Sequence, residues 1–119
     1  MIWKLDKNRA LCPQICQLLC ARIASGEIQP GQKIPSVREV ALAAGVNPNT
    51  VQTAFTQLEQ QGVLFSLRGA GWFAAEDTSP AIALQQRLIS EKTAAFFAEL
   101  SALGIPAADI KKIVEEWEI

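Results

Sequence analysis

Ile15, Leu18, Leu19 and Ile23 recur at helical spacing, and Ser25-Gly26 ends the run as a helix stop does, so residues 11 to 25 predict a first amphipathic helix. Glu27 to Lys33 contains the turn pair Pro30-Gly31 and leads to Ile34-Pro35. In Ser36-Val37-Arg38-Glu39 a serine is followed three residues on by glutamate. That is a capping box, whose side chains satisfy two otherwise unpaired backbone donors at the start of a second helix. This helix is short, because Ala44-Gly45 closes it. A third follows almost at once: Asn47 is a good N-cap, Pro48 suits the first helical position, and Val51, Ala54, Phe55 and Leu58 form one apolar stripe that ends at Gln61-Gly62.

Two helices joined by the tight Gly45-Val46 turn and packed on a preceding helix make a helix-turn-helix. Beyond it, residues 63 to 67 and 72 to 75 are short strand-like runs around Arg68-Gly69-Ala70-Gly71, a hairpin turn whose glycines can take positive φ. Alternation places one of Trp72 and Phe73 beneath the hairpin. Phe73 is expected inside, and Trp72 is open between burial and a place on the surface. Composition changes at Glu76-Asp77-Thr78-Ser79-Pro80, where Ser79 can cap and Pro80 can open a long helix. In that helix Ile82, Ile89, Thr93, Phe96, Leu100 and Leu103 form a continuous stripe, with Leu84, Leu88 and Phe97 as a second apolar flank. The segment from Gly104 to Pro106 breaks it, and a last helix offers Ile110, Ile113, Val114 and Trp117 as its inner face. The pattern predicts a mainly α (α+β) fold: a winged helix-turn-helix over residues 1–77, followed by a two-helix C-terminal tail over 78–119.

Composition narrows the chemistry. A chain of 119 residues, 50% apolar, 19% charged and with a net charge of -1 fits one domain or one domain with a short appendage, and can bury a core without disulfides or metal. Histidine and tyrosine are absent, which removes the commonest general base and metal ligand. Ser36 and the cysteines have no base beside them and Glu39 is engaged by the capping box, so no enzyme, cofactor or metal is expected. Cys12, Cys16 and Cys20 are spaced four apart in a helical segment, unlike a secreted disulfide scaffold. Packing is the expected use of these thiols, and a redox sensor is the alternative. No apolar run approaches a membrane span, so a reduced, cytoplasmic protein with no membrane partner is expected.

Five separated motifs then carry a resemblance. Pro13-Gln14, the run from Gly31 through Lys33, Ser36 and Arg38 to Glu39, the run from Gly45 through Asn47, Asn49 and Thr50 to Val51, Leu58-Glu59-Gln60-Gln61-Gly62, and Arg68-Gly69-Ala70-Gly71-Trp72-Phe73 resemble the DNA-binding domain of GntR-family transcriptional regulators. The match runs in register from residue 11 to 75, and the short helical tail looks like that of the YtrA-like subfamily. The resemblance implies a bacterial homodimeric repressor whose small tail supplies dimer contacts. It departs from the family pattern at Thr53 and Ala70, where relatives usually carry basic residues, and at Trp72, where they carry a small hydroxyl residue.

A recognition helix presents its first turns to base edges in the major groove. Asn47, Asn49, Thr50, Gln52 and Thr53 are polar and clear of the apolar stripe, and asparagine or glutamine can bond bidentately to adenine. The alternative is that Asn47 merely caps and the others face water. Lys33 and Arg68 are the expected phosphate partners, Arg38 is expected to meet phosphate or base unless it is a solvated surface cation, and Ser36 is a further expected DNA-binding residue. Gly69 and Gly71 let the wing approach closely, unless they serve turn geometry alone. Residues 1–77 hold seven cations against six anions, a weak basic footprint. Two linked copies on a palindromic operator would compensate, with Ile82, Ile89, Phe96, Leu100 and Leu103 as the dimerisation stripe, unless the tail folds back on its own domain. Only 42 residues follow residue 77, so a small-molecule effector, if the protein takes one, sits at the dimer interface or the wing-tail junction. The competing reading is a winged-helix protein-interaction module with little or no DNA binding, favoured by the missing basic residues.

Overall fold

Side-chain caps begin the second and third helices of the computed structural model, which describes residues 2–119. Helix α1 (Leu11–Ala24) closes on Ser25, whose N–H donates to the Ala21 carbonyl at 3.0 Å. Helix α2 (Val37–Ala44) starts on the full capping box: Ser36 Oγ accepts from the Glu39 N–H at 3.1 Å, and Glu39 Oε1 accepts from the Ser36 N–H at 3.2 Å. Helix α3 (Pro48–Gln60) starts on Asn47, whose Oδ1 accepts from the Asn49 N–H at 2.8 Å. Strands β1 (Leu64–Leu67) and β2 (Gly71–Ala74) form the hairpin, and α4 (Ser79–Ala102) and α5 (Ala107–Glu115) complete the chain.

The chain forms two compact units, one running to Gln85 and one from Gln86 to Ile119, so the division falls inside α4 rather than at the composition change of residues 76 to 80. In the first unit α1 and α2 pack on α3 around Ile15, Leu19, Val40, Val51, Phe55 and Leu58, all fully buried. Each large side chain so buried contributes about 1.5–3 kcal/mol relative to exposure. Ala81 belongs to the same core.

The antiparallel hairpin pairs Leu64 with Ala74, Phe65 with Phe73, and Ser66 with Trp72. This register corrects the expectation for the aromatic pair. Leu64 and Ala74 are buried, and strand alternation puts Trp72 on their face and Phe73 on the other. Trp72 accordingly meets the Phe55 ring edge-on at 5.3 Å, while Phe73 stacks on Phe65 at 5.4 Å and both stay half-buried. Size does not decide which ring goes in; the small Ala74, two residues from Trp72, sets the parity.

A third extended piece, read from sequence only as a turn and its exit, lies along β2. The Gly31 N–H donates to Ala74 O at 3.0 Å, Ala74 N–H to Gln32 O at 2.9 Å, and Ile34 N–H to Trp72 O at 2.9 Å, with Lys33 bridged to Phe73. Ser79 was expected to cap α4 but lies within it. The Asp77 carboxylate accepts its N–H at 2.9 Å, and Thr78 O takes the first helical bond from Ile82. Bonds from the Ser79 hydroxyl and N–H hold the exposed Asp77 carboxyl below the usual carboxylate range.

In the second unit the chain bends by 117° between α4 and α5. Of the four residues expected on the inner face of α5, only Ile110 is buried. Ile113, Val114 and Trp117 instead line an apolar hollow of about 420 Å³ with Phe96, Leu100 and Ile119. The expected α4 stripe is surface in the single chain: Ile82, Ile89, Phe96 and Leu103 are exposed, and Leu100 is half-buried. Among the described residues no single helix is long and apolar enough to cross a membrane.

Candidate nucleic-acid interface

The α2–α3 turn depends on Gly45, which ends α2 in the left-handed region at φ 68°. Its N–H returns to Ala41 O, as does that of Val46 at 3.0 Å, so the chain reverses within two residues. Lys7 Nζ donates to Gly45 O at 2.9 Å, placing a cation at the negative end of the α2 dipole. Sequence reasoning missed Lys7, because nothing local links residues 38 positions apart. Gln14 is a second anchor: its side chain accepts the Asp6 N–H and donates to Asp6 O and Ala10 O, tying the N-terminal segment to α1.

The polar row expected on the recognition helix is present and outward. Asn47, Asn49, Gln52 and Thr53 are exposed, and Thr50 is half-buried. Their hydrogen bonds differ in what they leave free. Asn47 spends its carbonyl oxygen on the cap and keeps its amide donors. Gln52 donates to Thr56 Oγ1 at 3.2 Å, and Thr53 donates to Asn49 O at 2.9 Å. The Asn49 side chain makes no hydrogen bond among the described residues, so its whole amide edge is available.

Arg38, the second residue of α2, shares the rim of a shallow hollow with Leu42, Val46 and Pro48, which brings it to the start of α3. Lys33 lies against the wing: a Cβ added at Gly71, where φ is 113°, would sit 3.2 Å from Lys33 Cε. Arg68 opens the exposed wing turn, and Gly69, φ 80°, has open space around it. Both wing glycines take positive φ, but only Gly69 leaves its backbone open on all sides, because the Lys33 side chain lies against the half-buried Gly71. The one ion pair among the described residues joins Arg22 and Glu27, so Lys33, Arg38 and Arg68 keep their charge unneutralised. Ser36 accepts within the capping box but retains its hydroxyl proton as a donor. Glu59 was also missed: its Oε2 accepts from the Ser66 hydroxyl at 2.8 Å and the Ser66 N–H at 3.2 Å, fastening the wing to the end of α3.

The family model for bacterial regulatory proteins of the gntR family matches residues 11–74, the stretch from α1 to the end of β2. The chain belongs to the gntR family. Every candidate DNA-facing residue above lies inside the matched stretch. Among relatives of this gntR-family chain, the uncharacterised HTH-type regulator YhcF of Bacillus subtilis is 36% identical over 102 residues, covering 86% of this chain and 84% of YhcF. The HTH-type transcriptional repressor YtrA of B. subtilis is 42% identical over 64 residues, 54% of this chain and 49% of YtrA. A GntR family transcriptional regulator from Listeria monocytogenes superposes with a TM-score of 0.84 at 32% identity, covering 96% of this chain and all of that one. The AraR DNA-binding domain in complex with operator ORR3 superposes with a TM-score of 0.52 at 36% identity, covering 54% of this chain and 77% of that one.

Two of the thiols on α1 of this gntR-family chain face α3. Cys12 Sγ donates to Gln57 Oε1 at 3.5 Å and Cys16 Sγ to Ala54 O at 3.7 Å, while Cys20 is buried. Burial, with the neighbouring Cys12 and Cys20 adding to it, pushes the Cys16 thiol up to about 12, and burial pushes Cys20 up to about 11. Both stay protonated at neutral pH and act as packing. The described residues hold no group of three or more acidic, thiol or imidazole side chains fit to bind a metal.

Proposed function

We propose that the chain is a sequence-specific DNA-binding transcriptional regulator of the bacterial cytoplasm, a homodimeric repressor acting on a palindromic operator. The observation that carries this is the outward row Asn47, Asn49, Thr50, Gln52 and Thr53 on the first turns of α3, flanked by unneutralised Lys33, Arg38 and Arg68. The first turns of α3 enter the major groove, where the amides reach base edges. Arg38 and the Ser36 hydroxyl meet phosphates at the start of α2, and Lys33, Arg68 and the backbone of Gly69 and Gly71 meet them along the wing. YtrA's description as a repressor and the AraR–operator complex support the same reading. It involves no catalytic step.

Ile82, Ile89, Phe96, Leu100 and Leu103 join two copies, so that their α3 helices fall about 34–36 Å apart on one side of the duplex. An apolar effector, where one acts, enters the dimer interface at the hollow by Phe96 and Trp117. Selection from random DNA followed by sequencing tests the reading, and two half-sites with adenines at the read positions are the expected result. A second reading, a winged-helix module that docks on protein, is favoured by Leu42, 87% exposed beside Arg38. Failure of selection to enrich any sequence supports that second reading and overturns the first.

A further inference from the structure

Thr53 lies on the outer face of α3, one turn beyond Asn49, and its hydroxyl is already committed to the Asn49 carbonyl at 2.9 Å. That bond is made inside the helix, as threonine hydroxyls do when they reach back four residues. It holds the side-chain torsion of a β-branched residue that has little freedom to begin with. The Thr53 Cβ carries one oxygen and one methyl group. With the oxygen turned onto the helix, the methyl is what the side chain offers outward. The helix carries no lysine or arginine from Asn47 to Gln61, so no long cationic side chain on it holds a base edge at a distance. A short side chain then meets whatever lies in the groove closely. In the major groove one base carries an apolar projection, the 5-methyl group of thymine, and a threonine methyl is a fitting partner for it.

Resting on the DNA-binding reading above, we propose that Thr53 is a specificity-determining residue that reads the 5-methyl group of one thymine in each half-site. Uracil keeps every hydrogen-bonding edge of thymine and lacks only that methyl, so it isolates the contact. The experiment takes the full chain and the operator recovered by selection, replaces each thymine of a half-site by deoxyuridine in turn, and measures binding by fluorescence anisotropy. Wild type should bind about fourfold more weakly for each half-site in which one particular thymine is replaced, the loss expected for about one buried methyl. Thr53→Ser keeps the hydroxyl and discards the methyl, and should bind the thymine and uracil operators alike at that position. Thr53→Val keeps a methyl and discards the hydroxyl, and should retain the discrimination. Equal wild-type binding with uracil at every position overturns the inference while leaving the DNA-binding reading intact, as does discrimination that persists in Thr53→Ser. If selection returns no operator, the DNA-binding reading itself falls, and this inference with it.

Discussion

Ser36 serves α2 and, on the proposed reading, also meets DNA, and two substitutions separate these roles. Helix α2 is eight residues long, two turns, with Val40, Ala41 and Ala44 buried. So short a helix does not hold itself together in water, and its first turn depends on caps and packing. Ser36→Ala removes the oxygen that accepts the Glu39 N–H at 3.1 Å, leaving an orphan donor. The loss should be about 1 kcal/mol, within the roughly 0.5–2 kcal/mol measured for such caps. For a chain of this size that lowers Tm by about 4 °C. Ser36→Asp keeps an acceptor at the cap and puts a negative charge at the positive end of the helix, so its stability should stay within about 0.5 kcal/mol of wild type. Its carboxylate nevertheless stands where a phosphate is to sit, and operator affinity should fall at least tenfold. Urea melts followed by circular dichroism read the first quantity, and anisotropy with a labelled operator reads the second. An unchanged melt for Ser36→Ala would refute the account of how α2 starts. Wild-type affinity for Ser36→Asp would refute the placement of that helix end on the DNA backbone.

Arg38→Ala should flatten the dependence of log affinity on log salt by about 0.9 per subunit, close to 2 for a dimer, while Arg38→Lys keeps the slope; an unchanged slope in the alanine variant places Arg38 away from phosphate. Unfolded thiols ionise near 9.0, but burial holds Cys16 at about 12 and Cys20 at about 11. Stability from this source is therefore complete below pH 9 and falls as pH rises from 9 towards 12, and Cys16→Ala should flatten that fall in urea melts run between pH 8 and 11. Gly45→Ala should lose about 1–2 kcal/mol in the same melts, because φ 68° disfavours any Cβ and Lys7 Nζ would lie 3.2 Å from it. Ile89→Glu charges the middle of the exposed α4 stripe, and sedimentation at micromolar concentration should find it monomeric where wild type is dimeric; a monomeric wild type sinks the dimer.

What the sequence made legible was local. The ends of α2 and α3 are written in residues that bond within four positions of themselves, Ser36 with Glu39 and Asn47 with Asn49, so spacing alone discloses them. The stripe Val51, Ala54, Phe55 and Leu58 is buried as its period requires. What stayed hidden was long-range or a matter of parity. Lys7 on Gly45, Glu59 on Ser66 and the edge formed by residues 31 to 34 along β2 each join segments that no periodicity connects. Trp72 and Phe73 illustrate parity: a strand of four residues fits either face, and only the burial of Ala74 selects one. In the tail, the period of α5 predicts an inner face, yet only Ile110 is buried among Ile110, Ile113, Val114 and Trp117. An amphipathic pattern states that a face needs a partner without stating which surface supplies it.

The same distinction bears on how such a surface achieves selectivity. Phosphate contacts strengthen binding to every sequence alike, whereas amide and methyl contacts act only on the right bases. Residues 1–77 carry a single excess positive charge, so non-specific attraction is weak. On the proposed reading, the amides of Asn47, Asn49 and Gln52 and the methyl of Thr53 then make up an unusually large share of the binding free energy. One copy with so little general attraction would leave its site quickly. Joining two copies through α4, as proposed, would raise the effective concentration of the second at its half-site and restore affinity without adding charge. On this argument the tail stripe and a recognition helix without lysine or arginine are a matched pair. Loss of Ile89 packing should therefore reduce operator binding more than loss of any one phosphate contact, measurable as a larger drop in affinity for Ile89→Glu than for Arg38→Ala at the same salt concentration.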